Sequence, residues 1–156
     1  MRKIIVVLVF LVFILCSGCT SYFSNLTAPK HNLNLTQQAV FEKEGNLFTA
    51  EIKKVEPQSS SSRLWGVSFT MHVKNTGKKP VSLMAYPRLE DTEGNQYPGK
   101  GIYLNMLNVG GQAMVDGTIP ITTDEASTNL KDHAVLYIRF QDTKLIPYEA
   151  AWDVDL

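Results

Sequence analysis

The sequence predicts an all-β domain, a two-layer antiparallel sandwich of seven to eight strands. Two observations carry this prediction. From residue 46 onward apolar side chains recur with a period of two, in short runs spaced roughly ten residues apart. Between the runs stand clusters of Gly, Asn, Asp and Pro, and no segment after residue 45 shows a helical period. A closed barrel is the competing arrangement. The number of strands and their even spacing favour two packed sheets.

The elements follow in order. Phe48, Ala50 and Ile52 alternate with Thr49, Glu51 and Lys53, the pattern of a half-buried strand. Pro57, Gln58 and the serines at 59–62 read as a flexible connection. The clearest strand places Trp65, Val67, Phe69, Met71 and Val73 on one face, with Gly66, Ser68, Thr70, His72 and Lys74 on the other. Asn75-Thr76-Gly77 supplies a turn, because Asn and Gly tolerate positive φ. Val81, Leu83 and Ala85 form the inward set of the next strand. Residues 91–95 make a polar hairpin tip between Leu89 and Tyr97. Residues 102–107 form a short strand and Gly110-Gly111 a turn. Ala113, Val115, Gly117, Ile119 and Ile121 alternate again, and Pro120 marks an edge or a strand end. A polar loop covers 122–132. Leu136, Ile138 and Phe140 share one face, and Tyr148, Ala150, Trp152, Val154 and Leu156 make the last alternating run. Trp65 and Trp152 are both expected in the centre, where each would bring a large apolar area.

The N-terminus carries a different pattern. Arg2 and Lys3 precede an unbroken apolar run of twelve residues, 4–15, followed by Cys16-Ser17-Gly18-Cys19. A charged start, a short apolar stretch and small residues before a cut site form a secretory signal. Twelve residues fall short of the ~20 that a spanning helix needs. Ser17-Gly18 before Cys19 resembles the lipobox of prokaryotic lipoproteins, in which cleavage precedes the cysteine and its thiol takes a diacylglycerol. Cys16 stands where that pattern usually has an aliphatic residue. The expected organisation is therefore a signal peptide over 1–18, a lipidated Cys19 with a flexible tether over 19–45, and the sandwich over 46–156. Ser, Asn, Thr and Gln dominate the tether, and its scattered apolar residues cannot offset the entropy of ordering it. Asn25-Leu26-Thr27 and Asn34-Leu35-Thr36 within it are glycosylation sequons.

Composition sets further bounds. The chain has 15 basic and 15 acidic residues; loss of 1–18 would remove Arg2 and Lys3, leaving 13 against 15 and a net charge of −2. That balance offers no basic excess for nucleic acid. Cys16 would leave with the signal and Cys19 would be acylated, so no disulfide is expected and the core must be adequate without one.

Three strings, in order, carry a family likeness. Val67 to Lys74 followed by Asn75-Thr76-Gly77-Lys78-Lys79-Pro80-Val81 is similar to the strand, Asn-Thr-Gly and Lys-Pro signature of a group of immunoglobulin-like extracellular domains in bacterial and archaeal lipoproteins. Leu89-Glu90-Asp91-Thr92-Glu93-Gly94-Asn95-Gln96-Tyr97 resembles their hairpin, and Gly110-Gly111-Gln112 with Ile119-Pro120-Ile121 resembles a later turn and strand. Gly110 and Gln112 replace the usual proline and glutamate. The resemblance spans about residues 46–156 and implies an immunoglobulin-like sandwich serving as a binding scaffold without a shared active site.

Candidate chemistry is sparse. His72 and His133 lack the spacing of a metal pair and read as surface residues. Met71, Met84, Met106 and Met114 suit Cu(I) by ligand type, but no tight cluster exists and core or edge filling accounts for them. Asp91, Glu93 and Asn95 offer oxygen ligands for Ca²⁺, without the full loop pattern; a solvated turn is the simpler reading. No Gly-x-Ser-x-Gly, free thiol or phosphate loop is present, so no enzyme and no cofactor are expected. Tyr86, Tyr97, Tyr103 and Tyr137 could form a contact face, since tyrosine is rigid and amphipathic. The expectation is a lipid-anchored protein facing the extracytoplasmic side, held to the membrane through Cys19 and contacting a protein or envelope partner through Tyr86, Tyr97 and Tyr103. A metal- or solute-binding carrier or sensor is the alternative.

Overall fold

In the computed structural model, which describes residues 32–60, 63–123, 128–130 and 133–156, nine strands stand among the described residues. They are β1 (Gln38–Lys43), β2 (Asn46–Ser60), β3 (Arg63–Asn75), β4 (Val81–Glu90), β5 (Gln96–Pro98), β6 (Ile102–Leu107), β7 (Gln112–Pro120), β8 (Ala134–Asp142) and β9 (Pro147–Val154). One sheet has the order β1-β2-β3-β7. The other has the order β5-β4-β8-β9, with β6 also along β4, and every strand pair is antiparallel. The chain crosses between sheets from β3 to β4, from β6 to β7 and from β7 to β8, while β3 pairs with β7 and β4 with β8. The interlocked β3–β4 and β7–β8 crossings make the fold an immunoglobulin-like sandwich.

The inward sets anticipated for β2, β4, β8 and β9 are the ones buried. Phe48, Ala85, Leu136, Ile138, Phe140 and Trp152 have no exposed surface. The signal segment and Cys19 lie outside the described residues.

The sandwich begins earlier than residue 46. The expected tether is corrected at its C-terminal end, where β1 pairs with β2 through a two-residue turn, Glu44-Gly45, with φ of 50° and 79°. Both positive values suit the right-handed twist of a hairpin. Ala39 and Phe41 point inward, and the Phe41 ring lies 4.7 Å from that of Phe48 and 5.3 Å from that of Phe140. Burying one such ring contributes roughly 2 kcal/mol, enough to offset ordering of a residue or two. Just upstream, Leu33 forms a single parallel bridge to Trp152 in the other sheet, and the indole Nε1 of Trp152 donates to the Gln37 carbonyl at 3.2 Å. Residues 32–37 therefore pass from one sheet to the other and close a corner of the sandwich.

Two more expectations are corrected. Residues 57–60 continue β2 rather than forming a flexible connection, paired with Val67, Gly66, Leu64 and Arg63. The register shifts between Gln58 and Ser59, so Trp65 is the unpaired residue of a bulge. The bulge inverts the alternation at that end of β3: Leu64 is buried and Trp65 is 50% exposed. Only Trp152 is a core tryptophan.

Four turns gather at one end of the sandwich and are stapled together. Asn75, 1% exposed, donates through Nδ2 to the carbonyls of Lys79 at 2.7 Å and Leu107 at 2.9 Å, and its Oδ1 accepts from the Gly77 N–H at 2.9 Å. Its backbone N–H and carbonyl engage Gly111 and Gly110. Asn75 therefore acts through its side chain; positive φ, expected there, is found instead, among the described non-glycine residues, at Glu44 and Leu145. Asn46 Nδ2 bonds Asp142 Oδ2 at 2.8 Å and the Tyr148 hydroxyl at 3.0 Å, joining the β1–β2 and β8–β9 turns.

The β4–β5 and β8–β9 hairpins share one device. In each, an aspartate Oδ1 accepts the N–H groups two and four residues ahead: Glu93 and Asn95 for Asp91, and Lys144 and Ile146 for Asp142, all at 2.9 Å. The residue three ahead takes positive φ, Gly94 at 85° and Leu145 at 63°.

Candidate functional site

The outer face of the five-stranded sheet holds most of the residues singled out for contact. Alternation along β4 buries Leu83, Ala85 and Leu89 and turns Met84, Tyr86 and Arg88 outward. Register places Tyr86 opposite Arg139 of β8, Arg88 opposite Tyr137, and Met84 opposite Tyr103 of β6. Tyr86 is 43% exposed and Tyr103 63%. The interruption between β5 and β6 falls beside Tyr86 and Pro87, and there the chain runs close to the ring. A Cβ on Gly101 would stand 3.4 Å from Tyr86 Cε1 and 3.7 Å from Met84 Sδ. Tyr86 is thus packed along one edge while its other side faces solvent, which limits the rotamer entropy that a contact would cost.

Arg88 holds the adjoining strip together. Its guanidinium reaches both carboxylate oxygens of Glu149, at 3.2 and 3.1 Å, and lies 4.2 Å over the centroid of Tyr137. Such a fork-to-fork pair above a ring is geometrically specific. Burial pushes the Tyr137 phenol above its ordinary range, and the nearby Glu90 charge adds to the rise. A cleft of about 360 Å³ opens between Tyr86, Pro87, Arg88, Pro98, Gly99 and Arg139. Arg139 is exposed on its rim, and Glu149, the carboxylate across from it in register, is engaged by Arg88.

The structure brings Tyr86 and Tyr103 to neighbouring strands and leaves Tyr97 elsewhere. Tyr97 sits on β5 at the hairpin and donates its hydroxyl to Asp91 Oδ2 at 2.7 Å. Burial by itself would raise the Asp91 carboxyl, but hydrogen bonds from the Tyr97 hydroxyl, the Asn95 side chain and the Asn95 and Glu93 backbone outweigh it and hold the group down at about 2. With Asn95 Nδ2 on Oδ2 as well, both oxygens of Asp91 are engaged by protein donors. The acidic tip, weighed as a Ca²⁺ ligand set and read as a turn, is a turn scaffold whose Asp91 is buried.

Other residues weighed from the sequence are dispersed. His72 is half-buried, its ring nitrogens 3.0 Å from Glu51 Oε1 and 3.1 Å from Gln112 Oε1. His133 lies at the other end, beside Asp153 and Asp155. Among the described methionines only Met71 fills the core completely. Met106 and Met114 are 61% and 60% exposed, which corrects the expectation that they fill core or edge. Among the described residues no group of three or more His, Cys, Asp or Glu side chains could hold a metal ion.

Sequence reasoning takes Met106 for core or edge filling and passes over Val109; both extend the exposed apolar residues from Tyr103 along β6 to the β6–β7 turn. Their only signal was position: both lie outside the alternation of a strand that must pair at a sheet edge.

Known proteins add little beyond the architecture. No protein-family profile matches the chain, and no curated protein matches it either. Among solved structures, a DUF4426 family protein from Pseudomonas aeruginosa superposes with a TM-score of 0.43 at 14% identity, covering 76% of this chain and 96% of that one. The ApaA protein from Bordetella pertussis gives 0.44 at 14% identity, with 80% and 97% covered. A β-glucosidase from Paenibacillus barengoltzii gives 0.43 at 13% identity over 66% of this chain, which spans 13% of that enzyme. All are similarities of β architecture at low identity.

Proposed function

We propose that this protein is a lipid-anchored extracytoplasmic lipoprotein whose immunoglobulin-like sandwich acts without catalysis, by contact with a protein or envelope partner. In this reading residues 1–18 are a signal peptide, Cys19 carries the lipid, and the domain belongs with the extracellular lipoprotein domains that its three motif strings resemble. The observation that supports a contact role is the Tyr86–Tyr103 face. Two exposed tyrosines, an exposed arginine and a methionine stand on adjacent strands of a rigid sheet, the residue types that concentrate binding energy at interfaces. The lipid would work by acyl burial, at ~0.8 kcal/mol per CH₂, so that more than one chain makes anchoring lasting. A dozen residues separate Cys19 from Asn32, whose side chain bonds Asp153 of β9. Extended, they would span at most about 40 Å.

The test has two readouts on protein extracted from native membranes. Intact mass of wild type and of Cys19→Ser should show a chain beginning at Cys19 with added acyl mass, lost in the variant. A mass that retains residues 1–18 sinks the lipoprotein reading. Cross-linking in intact cells should give a discrete adduct that Tyr86→Ser/Tyr103→Ser removes without lowering the amount of folded protein. An adduct unchanged by that pair would exclude this face as the contact.

A further inference from the structure

The end of the sandwich where the four turns meet has a second character. Lys43, Lys74, Lys78, Lys79 and Lys144 all lie at or beside these turns, and all are exposed. Among the described residues only Glu42 and Glu44 stand against them, since the Asp142 carboxylate is buried and engaged by Asn46 and two backbone N–H groups. None of the five lysines has an ion-pair partner among the described residues. Lys79 extends over the β1–β2 turn, its ammonium 3.1 Å from where a Cβ on Gly45 would stand.

Two apolar tips rise among these cations. Val109, in the β6–β7 turn, is 59% exposed, and Leu145, in the β8–β9 turn, is 71% exposed. Leu145 occupies a position with φ of 63°, whose counterpart in the twin hairpin is Gly94. A branched side chain there is locally unfavourable, and nothing in the packing requires it. The opposite end of the sandwich has the reverse charge. Among the described residues, Glu90, Glu93, Asp153 and Asp155 stand around the β4–β5 hairpin and the end of β9, where Leu33 also lies, and outnumber Arg63 at the start of β3 and His133 beside the two aspartates. The domain is therefore polarised along its strands, although its net charge is close to zero.

We infer that the lysine-ringed end formed by the β1–β2, β3–β4, β6–β7 and β8–β9 turns is a docking surface for an acidic protein segment that carries apolar side chains. The lysines complement carboxylates and speed encounter. Val109 and Leu145 supply the desolvated contacts that hold the complex once formed. The pairing of apolar tips with lysines favours an acidic polypeptide over a bare polyanion, which would leave both tips unused. Hydrogen bonds from Asn46 and Asn75 already hold the turns in place, so little ordering entropy opposes binding. Val109 borders the tyrosine face through β6, but the lysines and Leu145 lie on the turns, so the surface is centred away from Tyr86 and Tyr103, and the inference does not depend on how the chain is anchored.

The experiment measures binding of a synthetic peptide with leucines among glutamates to the full-length protein in detergent micelles, with polyphosphate as a second probe. Wild type should bind the peptide, with affinity falling as salt rises. The same peptide with glutamine for glutamate should bind at least about tenfold more weakly. Lys78→Glu/Lys79→Glu/Lys144→Glu should weaken binding by about tenfold or more, chiefly through a slower association rate. Val109→Ser/Leu145→Ser should speed dissociation, and Tyr86→Ser/Tyr103→Ser should leave binding unchanged. All these residues are exposed, and an unchanged melting temperature certifies each variant. Equal binding by the charge-reversed protein, equal binding of the glutamine peptide, or binding of polyphosphate alone would each overturn the inference. Loss of binding in the tyrosine variant alone would move the surface to the sheet face and overturn it as well.

Discussion

Replacing Asn75 by alanine removes three hydrogen bonds at once from a side chain that is 1% exposed. A typical intramolecular hydrogen bond contributes a net ~1 kcal/mol, and a buried partner left unpaired costs ~1–3 kcal/mol. The Leu107 carbonyl is such a partner, and water cannot readily replace the amide beside it. The expected loss is therefore about 3–4 kcal/mol, equivalent to a drop of roughly 10 °C or more in melting temperature. Equilibrium urea unfolding is the assay, and the slope against denaturant should stay the same, because the surface exposed on unfolding barely changes. Aspartate at this position retains the acceptor for Gly77 but sets an oxygen against the Lys79 and Leu107 carbonyls. Asn75→Asp should thus be at least as harmful as alanine near neutral pH and recover partly on acidification, when a protonated carboxyl can donate one bond. A loss below about 1 kcal/mol for Asn75→Ala would refute the claim that this side chain staples the turns.

Three further outcomes are expected. Leu145→Gly should stabilise by about 0.5–1 kcal/mol in thermal or urea unfolding, because relief of a left-handed conformation at φ 63° exceeds the entropy cost of glycine. Gly117→Ala should destabilise by about 2 kcal/mol or more, since the added methyl would overlap the Phe69 ring and lie 2.9 Å from Ile102 Cδ1; a neutral result would mean that β7 can shift as a unit. The Asp91 carboxyl, held at about 2 against an ordinary 3.8, contributes stability that is complete above its unfolded value and is lost as pH falls from 3.8 toward 2. Tyr97→Phe removes one of the donors that lower it, so the variant should be less stable than wild type near neutrality and converge with it at the acid end. Parallel unfolding curves across that range would contradict the assignment.

Much of this architecture was legible residue by residue. Phe48, Leu83, Leu136 and Phe140 point inward because period-two alternation obeys the strand pleat wherever one face is buried and the other is wet. The β4–β5 hairpin was readable because its Asp and Gly have few other uses in that order. β1 escaped notice because its inward set is only Ala39 and Phe41, too short for a periodic signal; the Glu44-Gly45 turn before Phe48 was the clue. Trp65 misled because alternation is blind to a bulge, which inserts one residue and inverts every face beyond it. Of the candidate contact residues, exposure of Tyr86 followed from its place between Ala85 and Pro87, but the use of Tyr97 by Asp91 depended on which strand closed the hairpin.

By itself, then, the sequence determined most of the strands, the inward residues of the main ones and the fold class. These depend on local chemistry, on the alternation of polar and apolar side chains and on the conformational tastes of turn residues. The tertiary structure alone decided which sheet each strand joined, that Asn75 and Asn46 tie four turns into one end, and that lysines from separate segments meet there while acids collect at the other end. Such neighbourhoods arise when the chain crosses between sheets after β3, β6 and β7, bringing together residues as far apart as Lys43 and Lys144. No local pattern encodes that meeting, because its physical cause is the packing of one sheet on the other.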